Sequence, residues 1–226
     1  MKELLDGLCG KDNWVAYCIN LKRATQRRAT FQAWADSINL PFTFFEATDK
    51  LNLTEDDYKL CDVWVNGTAR CAGATACRLS HHRLSEHFLS AHPNVEYCFF
   101  LEDDAGFKQP QQDWNNFVNF VSDIKQYNLK WDLLHLGYHD TGFRRMEQIA
   151  PHVAHVHNTH VTHAMLMNRK MVENHLRILR HSNPKIFSLP VDWTCDLLRQ
   201  YKVGVTLGPL QSVFHQVDTT ISFIWD

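Results

Sequence analysis

No stretch of the 226 residues is apolar and long enough to span a bilayer, and the N-terminus lacks the apolar core of a secretion signal. Both absences point to a cytoplasmic protein without a transmembrane segment. Charge of one sign is missing too: the net charge is −2, which argues against a general nucleic-acid binder. There is no Gly-x-Gly-x-x-Gly and no Walker loop, so the two common glycine-built phosphate cradles are excluded. The seven cysteines contain no Cys-x-x-Cys, and the 14 histidines show no zinc-ligand spacing. Cys18, Cys77 and Cys98 lie in apolar or helical patterns, where a free cysteine behaves as a small hydrophobe. An odd count without a framework favours a reducing compartment. No internal repeat, low-complexity segment or linker divides the chain, which reads as one domain over residues 1–226. The abrupt end at Ile224-Trp225-Asp226 also suits a domain of a longer protein.

What is present centres on Tyr97-Cys98-Phe99-Phe100-Leu101-Glu102-Asp103-Asp104. A short aromatic-rich run with helical patterns on both sides reads as a buried parallel strand. It ends in three consecutive acids. Carboxylates grouped at a strand end are costly unless something positive sits among them. In open α/β sheets, ligands bind at the carboxyl ends of the strands. A hard divalent cation carrying phosphate oxygens is the simplest occupant. An acidic turn that merely ends a strand is the alternative.

The rest of the chain alternates strands and helices. Residues 1–13 read as a loose lead-in, 14–19 as a buried strand, 25–38 as a helix with Phe31, Trp34 and Ile38 on its buried face, and 41–45 as a second strand. Residues 51–74 read as a loop region with a short helix. A helix over 75–91 feeds the strand at 97–101. Trp114, Phe117, Val118, Val121 and Ile124 mark the next amphipathic helix, and 131–136 a further strand. Residues 138–150 read as a polar loop, 153–156 and 164–167 as short strands, 169–180 and 193–201 as helices, and 203–207 as a late strand. The sum is an α/β fold with a mostly parallel central sheet flanked by helices. Three strand ends, 20–23, 46–49 and 102–104, meet at one edge of that sheet. Phosphate charge there falls to acid-held metal and to Arg23, Arg27 or Arg28, whose alternative is a solvated helix face.

Ile19-Asn20-Leu21-Lys22-Arg23-Ala24-Thr25-Gln26-Arg27-Arg28 resembles the opening Ile-Asn-Leu-x-Arg-x-x-x-Arg-Arg motif of glycosyltransferase family 25, which includes lipooligosaccharide and collagen galactosyltransferases. Cys77-Arg78-Leu79-Ser80-His81 resembles its Gly-Cys-x-x-Ser-His motif, with Ala76 in place of the glycine. Leu101-Glu102-Asp103-Asp104 matches its Leu-Glu-Asp-Asp motif, and Trp131-Asp132-Leu133-Leu134-His135-Leu136-Gly137 is similar to the strand that follows. Asn158-Thr159-His160 with Ala164-Met165-Leu166-Met167 resembles its Gly-Thr-His-Ala-Tyr segment with insertions. Leu189-Pro190-Val191-Asp192 matches its Pro-x-Asp motif, and Pro209-Leu210 with Gln216 its closing segment. The motifs cover nearly the whole chain in order.

The resemblance implies a single GT-A-like domain, a UDP-sugar donor and Mn2+ or Mg2+. It implies transfer of galactose or glucose, with inversion, to a glycan, lipid-linked or protein-linked acceptor. By analogy with Asp-x-Asp sites, Asp104 is the metal ligand, Glu102 faces the ribose or the metal shell, and Asp103 orients the others. Residues i and i+2 of an extended segment share a face, which pairs Glu102 with Asp104. Asn20, Leu21, Arg23, Arg27 and Asp49 then bind the donor. His215 is either a further metal ligand or a surface histidine. Asp192 is either the base for the acceptor hydroxyl or a helix N-cap. Ser80 and His81, adjacent on a helix, do not face each other and read as helix-start residues near the donor. Two other functions compete: a non-catalytic nucleotide-sugar-binding module, and a metal-dependent phosphohydrolase or receiver domain.

Overall fold

The structure, a computed structural model, describes residues 1–65, 69–137, 145–157, 161–180, 189, 191, 197–198 and 203–217. In chain order the elements begin with α1 (Lys2–Cys9), β1 (Trp14–Asn20), α2 (Thr25–Ser37) and β2 (Thr43–Glu46). A 3-10 turn (Lys50–Asn52), α3 (Glu55–Leu60) and the small hairpin β3 (Trp64–Val65) and β4 (Ala69–Arg70) lead to α4 (Ala72–Ala91). Then come β5 (Tyr97–Glu102), β6 (Ala105–Gly106), α5 (Pro110–Gln126) and β7 (Leu133–His135). The chain continues through β8 (Arg145–Ala150), β9 (Val153–His157), β10 (Ala164–Asn168), α6 (Arg169–Leu179), β11 (Thr206–Pro209) and β12 (His215–Gln216).

Eight strands form one sheet in the order β2-β1-β5-β10-β7-β11-β9-β8. The pairings set six of them running one way, with β10 and β9 reversed. Side chains alternate across each strand, and the two faces bury separate cores. Ala16, Cys18, Phe99, Leu101, Ala164 and Leu166 face a layer that contains Leu5 of α1, Phe31 and Ala35 of α2, and Phe117, Phe120 and Ile124 of α5. Tyr17, Ile19, Cys98, Phe100, Met165 and Met167 face Leu84 and Phe88 of α4 and Met171, Val172 and Ile178 of α6. This is the expected α/β sandwich. Both faces of β1 and β5 are covered, which is why their sequences read as near-continuous apolar runs.

Three segments differ from the sequence reading. The lead-in is the helix α1: Leu5 and Cys9 are buried one turn apart, and the N-terminal ammonium donates to the Ile38 carbonyl at 2.7 Å. Two turns are too short to show a period. Residues 51–74 hold α3, the β3–β4 hairpin and the start of α4. Thr54 and Asp57 form a reciprocal capping box on α3. The second half of the segment read as a polar loop at 138–150 is the edge strand β8, paired with β9; residues 138–144 lie outside the described part. The helix expected over 193–201 lies largely outside it as well.

Strand β10 positions the site, because it enters antiparallel between β5 and β7 and lays His163 beside Glu102. The Glu102 amide donates to the His163 carbonyl at 3.0 Å. Gly137, after β7, leaves the space for this: a Cβ there would collide with His163 Nε2 and lie 2.8 Å from the Phe214 carbonyl. Gly137→Ala should therefore cost about 1–3 kcal/mol, as overpacking does. That corresponds to a fall in thermal midpoint of about 2–12 °C for a domain of this size. A variant that melts with the parent would show that the close approach is not needed.

Candidate active site

Parallel registers bring three strand ends together. Ile19 lies opposite Glu102 and Asn20 opposite Glu46, and the Ala47 amide donates to the Asn20 carbonyl at 3.0 Å. The chain turns after Asn20 through Leu21, whose carbonyl accepts from the Ala24 amide at 2.8 Å. Helix α2 starts at once, so Arg27 on its first turn points back at the acids. One guanidinium nitrogen of Arg27, Nη2, lies 2.6 Å from Asp103 Oδ1 and 2.7 Å from Asp104 Oδ2. Asn20 Nδ2 donates to the other Asp103 oxygen at 2.6 Å.

Glu102 is held differently. Its Oε1 accepts from Thr162 Oγ1 at 2.6 Å and lies 3.1 Å from His81 Nε2. Burial would raise its carboxyl. The hydrogen bond and charge of His81, then the Thr162 hydroxyl and the charge of His163, outweigh burial and hold the group at about 2. Asp104 moves the other way. Burial, then the neighbouring Glu102 charge, push it up to about 7 against the pull of Arg27. Asp103 is also raised, first by burial. Asp104 Oδ1 is buried and makes no hydrogen bond among the described residues. Its Oδ2 is 3.4 Å from Gln216 Nε2, and its carbonyl accepts from the Val217 amide at 2.8 Å.

Two of the three acids therefore share one arginine, and among the described residues one of their buried oxygens has no donor. Compensation of that kind fits a divalent cation, since a buried charge persists only when paired. Asp104 and Glu102 are the residues that would hold it.

The sequence of residues 14–181 matches the profile of glycosyltransferase family 25, described as an LPS biosynthesis protein. The chain belongs to glycosyltransferase family 25. No curated protein sequence matches it. Two solved structures are similar to it at 10% identity. One is the crystal structure of a glycosyltransferase involved in the glycosylation of the major capsid of PBCV-1, with a TM-score of 0.44, covering 84% of this chain and 76% of that one. The other is A197 from STIV, with a TM-score of 0.44, covering 89% and 83%.

In this family 25 chain the remaining expected residues fall as follows. Arg23 and Asp49 come together: Nε donates to Asp49 Oδ2 at 2.7 Å and Nη2 to Oδ1 at 3.4 Å. Asp49 also caps the following 3-10 turn, accepting from the Leu51 amide. The Arg23 hydrogen bond, against some burial, lowers its carboxyl. Arg28 lies 3.5 Å from Asn20 Oδ1 and stacks over Phe44. His215 pairs in β12 with Gly106, next to the acids, and its Nε2 lies 3.5 Å from Asp113 Oδ1 at the start of α5. Gln216, one residue on, is the side chain that reaches Asp104. Asp192 lies outside the described residues. Its neighbour Leu189 offers its carbonyl to the buried Arg78 at 2.6 Å, and Val191 is buried.

The sequence reading missed Thr162, His163, the contact of Gln216 with Asp104 and the contact of His81 with Glu102. Thr162-His163-Ala164 carries Thr-His-Ala without the insertions that Asn158-Thr159-His160 requires, and residues 158–160 lie outside the described part. Ser80 and His81 are not at a helix start, because α4 begins at Ala72. Ser80 bonds Ala76 and the Thr48 amide, and His81 points at Glu102.

Asp104 gives a prediction with a definite sign. Its folded pKa lies above the unfolded one, so the native state holds the extra proton between about pH 4 and 7, and stability falls as pH rises through that window. Glu102, held at about 2 in the fold against an ordinary value of 4.5, contributes the opposite slope below about pH 5.5 and little above it. His175, pushed down to about 3 by burial and then by the charges of His81, Arg78 and His82, acts in the opposite direction. Both are common to parent and variant. The thermal midpoint of Asp104→Asn relative to the parent should therefore climb from pH 5 to 7 without added metal, then level off. A difference that stays flat across that range would contradict the burial of an under-compensated carboxyl.

Proposed function

We propose that this glycosyltransferase moves a hexose, galactose or glucose, from a UDP-sugar to a glycan or to a lipid- or protein-linked acceptor, with inversion at the anomeric carbon. The observation that carries this reading is the acid cluster at the end of β5, where Asp103 and Asp104 share one guanidinium and Asp104 keeps a buried oxygen without a donor among the described residues. Mn2+ or Mg2+ would sit at Asp104 and Glu102. When bound, such an ion supplies Lewis-acid stabilisation of the charge that develops on the departing diphosphate.

The chain's own residues do the holding. Arg27 and Asn20 fix Asp103, and Asp103 in turn keeps Arg27 beside Asp104. His81 and Thr162 keep Glu102 ionised and oriented. Leu21, Arg23 and Asp49, at the ends of β1 and β2, would flank the base and ribose. The Arg23–Asp49 pair is partly exposed, so its contribution is positional more than energetic. For the acceptor, Asp192 is the proposed base, taking the proton of the attacking hydroxyl.

A thermal-shift screen of UDP-, GDP- and CMP-sugars, with and without Mn2+, tests the donor. Ligand that binds the native state raises the midpoint. UDP-galactose or UDP-glucose with Mn2+ should give the largest rise, and Asp104→Asn should lose its manganese-dependent part. A response to free phosphate equal to that for UDP would contradict a nucleotide-sugar site.

The base is tested by two variants. Asp192→Asn keeps shape and capping ability but cannot accept the proton, so transfer should drop on the order of 100-fold with donor binding and midpoint little changed. If Asp192 only caps a helix, Asp192→Asn is nearly silent and Asp192→Ala costs about 1 kcal/mol of stability. A fully active Asp192→Asn enzyme removes the residue from catalysis.

A further inference from the structure

Helix α4 and the end of β5 bring together a ligand set of a different chemistry from the oxygen cluster at Asp104. Cys77 and His81 are four residues apart on α4 and so share a face. Glu102 meets them from the sheet. One ligand atom from each of the three lies within 4.8 Å of the other two. His81 is fully buried, its ring lies parallel to that of Phe100 at 6.1 Å, and its Nε2 is 3.1 Å from Glu102 Oε1. Two ligands of one tetrahedral ion with bonds near 2 Å are separated by about 3.3 Å, so the His81–Glu102 spacing is already that of a shared ion. The partly exposed Cys77 has its sulfur within 4.8 Å of both other ligand atoms and would be the third ligand.

Thiolate, imidazole and carboxylate together are a zinc-type donor set. Three protein ligands with a fourth position open is the arrangement of reactive rather than structural zinc. Magnesium and manganese favour all-oxygen surroundings instead. Charge points the same way. Asp103 and Asp104 have Arg27, whereas Glu102 has no arginine or lysine ion pair among the described residues and is held by His81 and Thr162. The sequence shows no zinc-ligand spacing because the third ligand arrives from a strand 21 residues beyond His81.

We propose that Cys77, His81 and Glu102 form a binding site for a zinc-class divalent cation, distinct from the hard-cation position at Asp104. Binding displaces the Cys77 proton to solvent, also clears the proton that His81 Nε2 directs at Glu102, and uses the imidazole in its neutral form. Because Glu102 belongs to both sets, zinc there withdraws it from the donor site and makes soft metals antagonists of donor binding. That consequence rests on the transferase reading; the site itself does not.

The test uses the full chain stripped of metal and titrated with Co2+ and then Zn2+, with no donor or acceptor present. One equivalent of Co2+ should give the near-ultraviolet thiolate-to-cobalt charge-transfer band, and Zn2+ should abolish it. Cys77→Ser should lose the band. Cys77→Ser and His81→Asn should each weaken zinc affinity about 10-fold or more in competition with a chromogenic chelator. Cys71→Ser and Asp104→Asn should keep both signals. If His81→Asn does not fold, the partly exposed Cys77 decides alone. No band in the parent, or a band and affinity that survive Cys77→Ser, overturns the site. Neither readout depends on transfer, so an inactive preparation leaves the result intact.

Discussion

The nitrogen of Arg27 that touches both Asp103 and Asp104 is the contact on which the site depends. Without it, three adjacent carboxylates would face one another in a place that water barely reaches. Removing one partner from a buried ion pair typically costs about 3–5 kcal/mol, because the other charge is left behind. Even with Arg27 in place the balance is incomplete, and Asp104 carries the deficit as a raised pKa and a buried oxygen without a donor among the described residues. The cluster is thus stable enough to fold and still able to take a further positive charge.

The sheet order follows from that requirement. β1 must end beside β5 so that the first turn of α2 can present Arg27 to the acids. β10 must run antiparallel to β5 so that the residues just before it, Thr162 and His163, arrive at Glu102. β12 must return to β6 so that Gln216 and the Val217 amide close over Asp104. Each carboxylate is therefore served by a different part of the chain: Asp103 by β1 and α2, Glu102 by α4 and the approach to β10, and Asp104 by α2 and the C-terminal segment. Glycosyl transfer needs charge placed in advance and held rigidly, and contacts from several elements supply that rigidity.

Much of the fold was legible in the sequence, for a physical reason. The strands at 14–20 and 97–102 are buried on both faces and so are written as apolar runs, and α5 shows its period through Phe117, Val121 and Ile124. The acids were legible because three in a row at a strand end contradict the apolar run before them. Less legible were the short elements. Helix α1 has two turns, and β8 is an edge strand whose Arg145, Glu147 and Gln148 look like loop residues. Partners were the hardest to read. Nothing in the spacing of His81, Thr162 and Glu102 announces that they converge, because topology and not local pattern joins them. The same holds for His215 and Gln216: the order of two neighbours on a strand decides which one faces Asp104 and which faces Asp113, and register is not visible in composition.

The most direct measurement of the central claim is anomalous scattering from crystals grown with UDP and Mn2+. A manganese peak is expected against the carboxylate of Asp104, with Arg27 still engaged with Asp103. A manganese peak remote from the end of β5, or UDP bound away from β1 and β2 with no metal at Asp104, would contradict it.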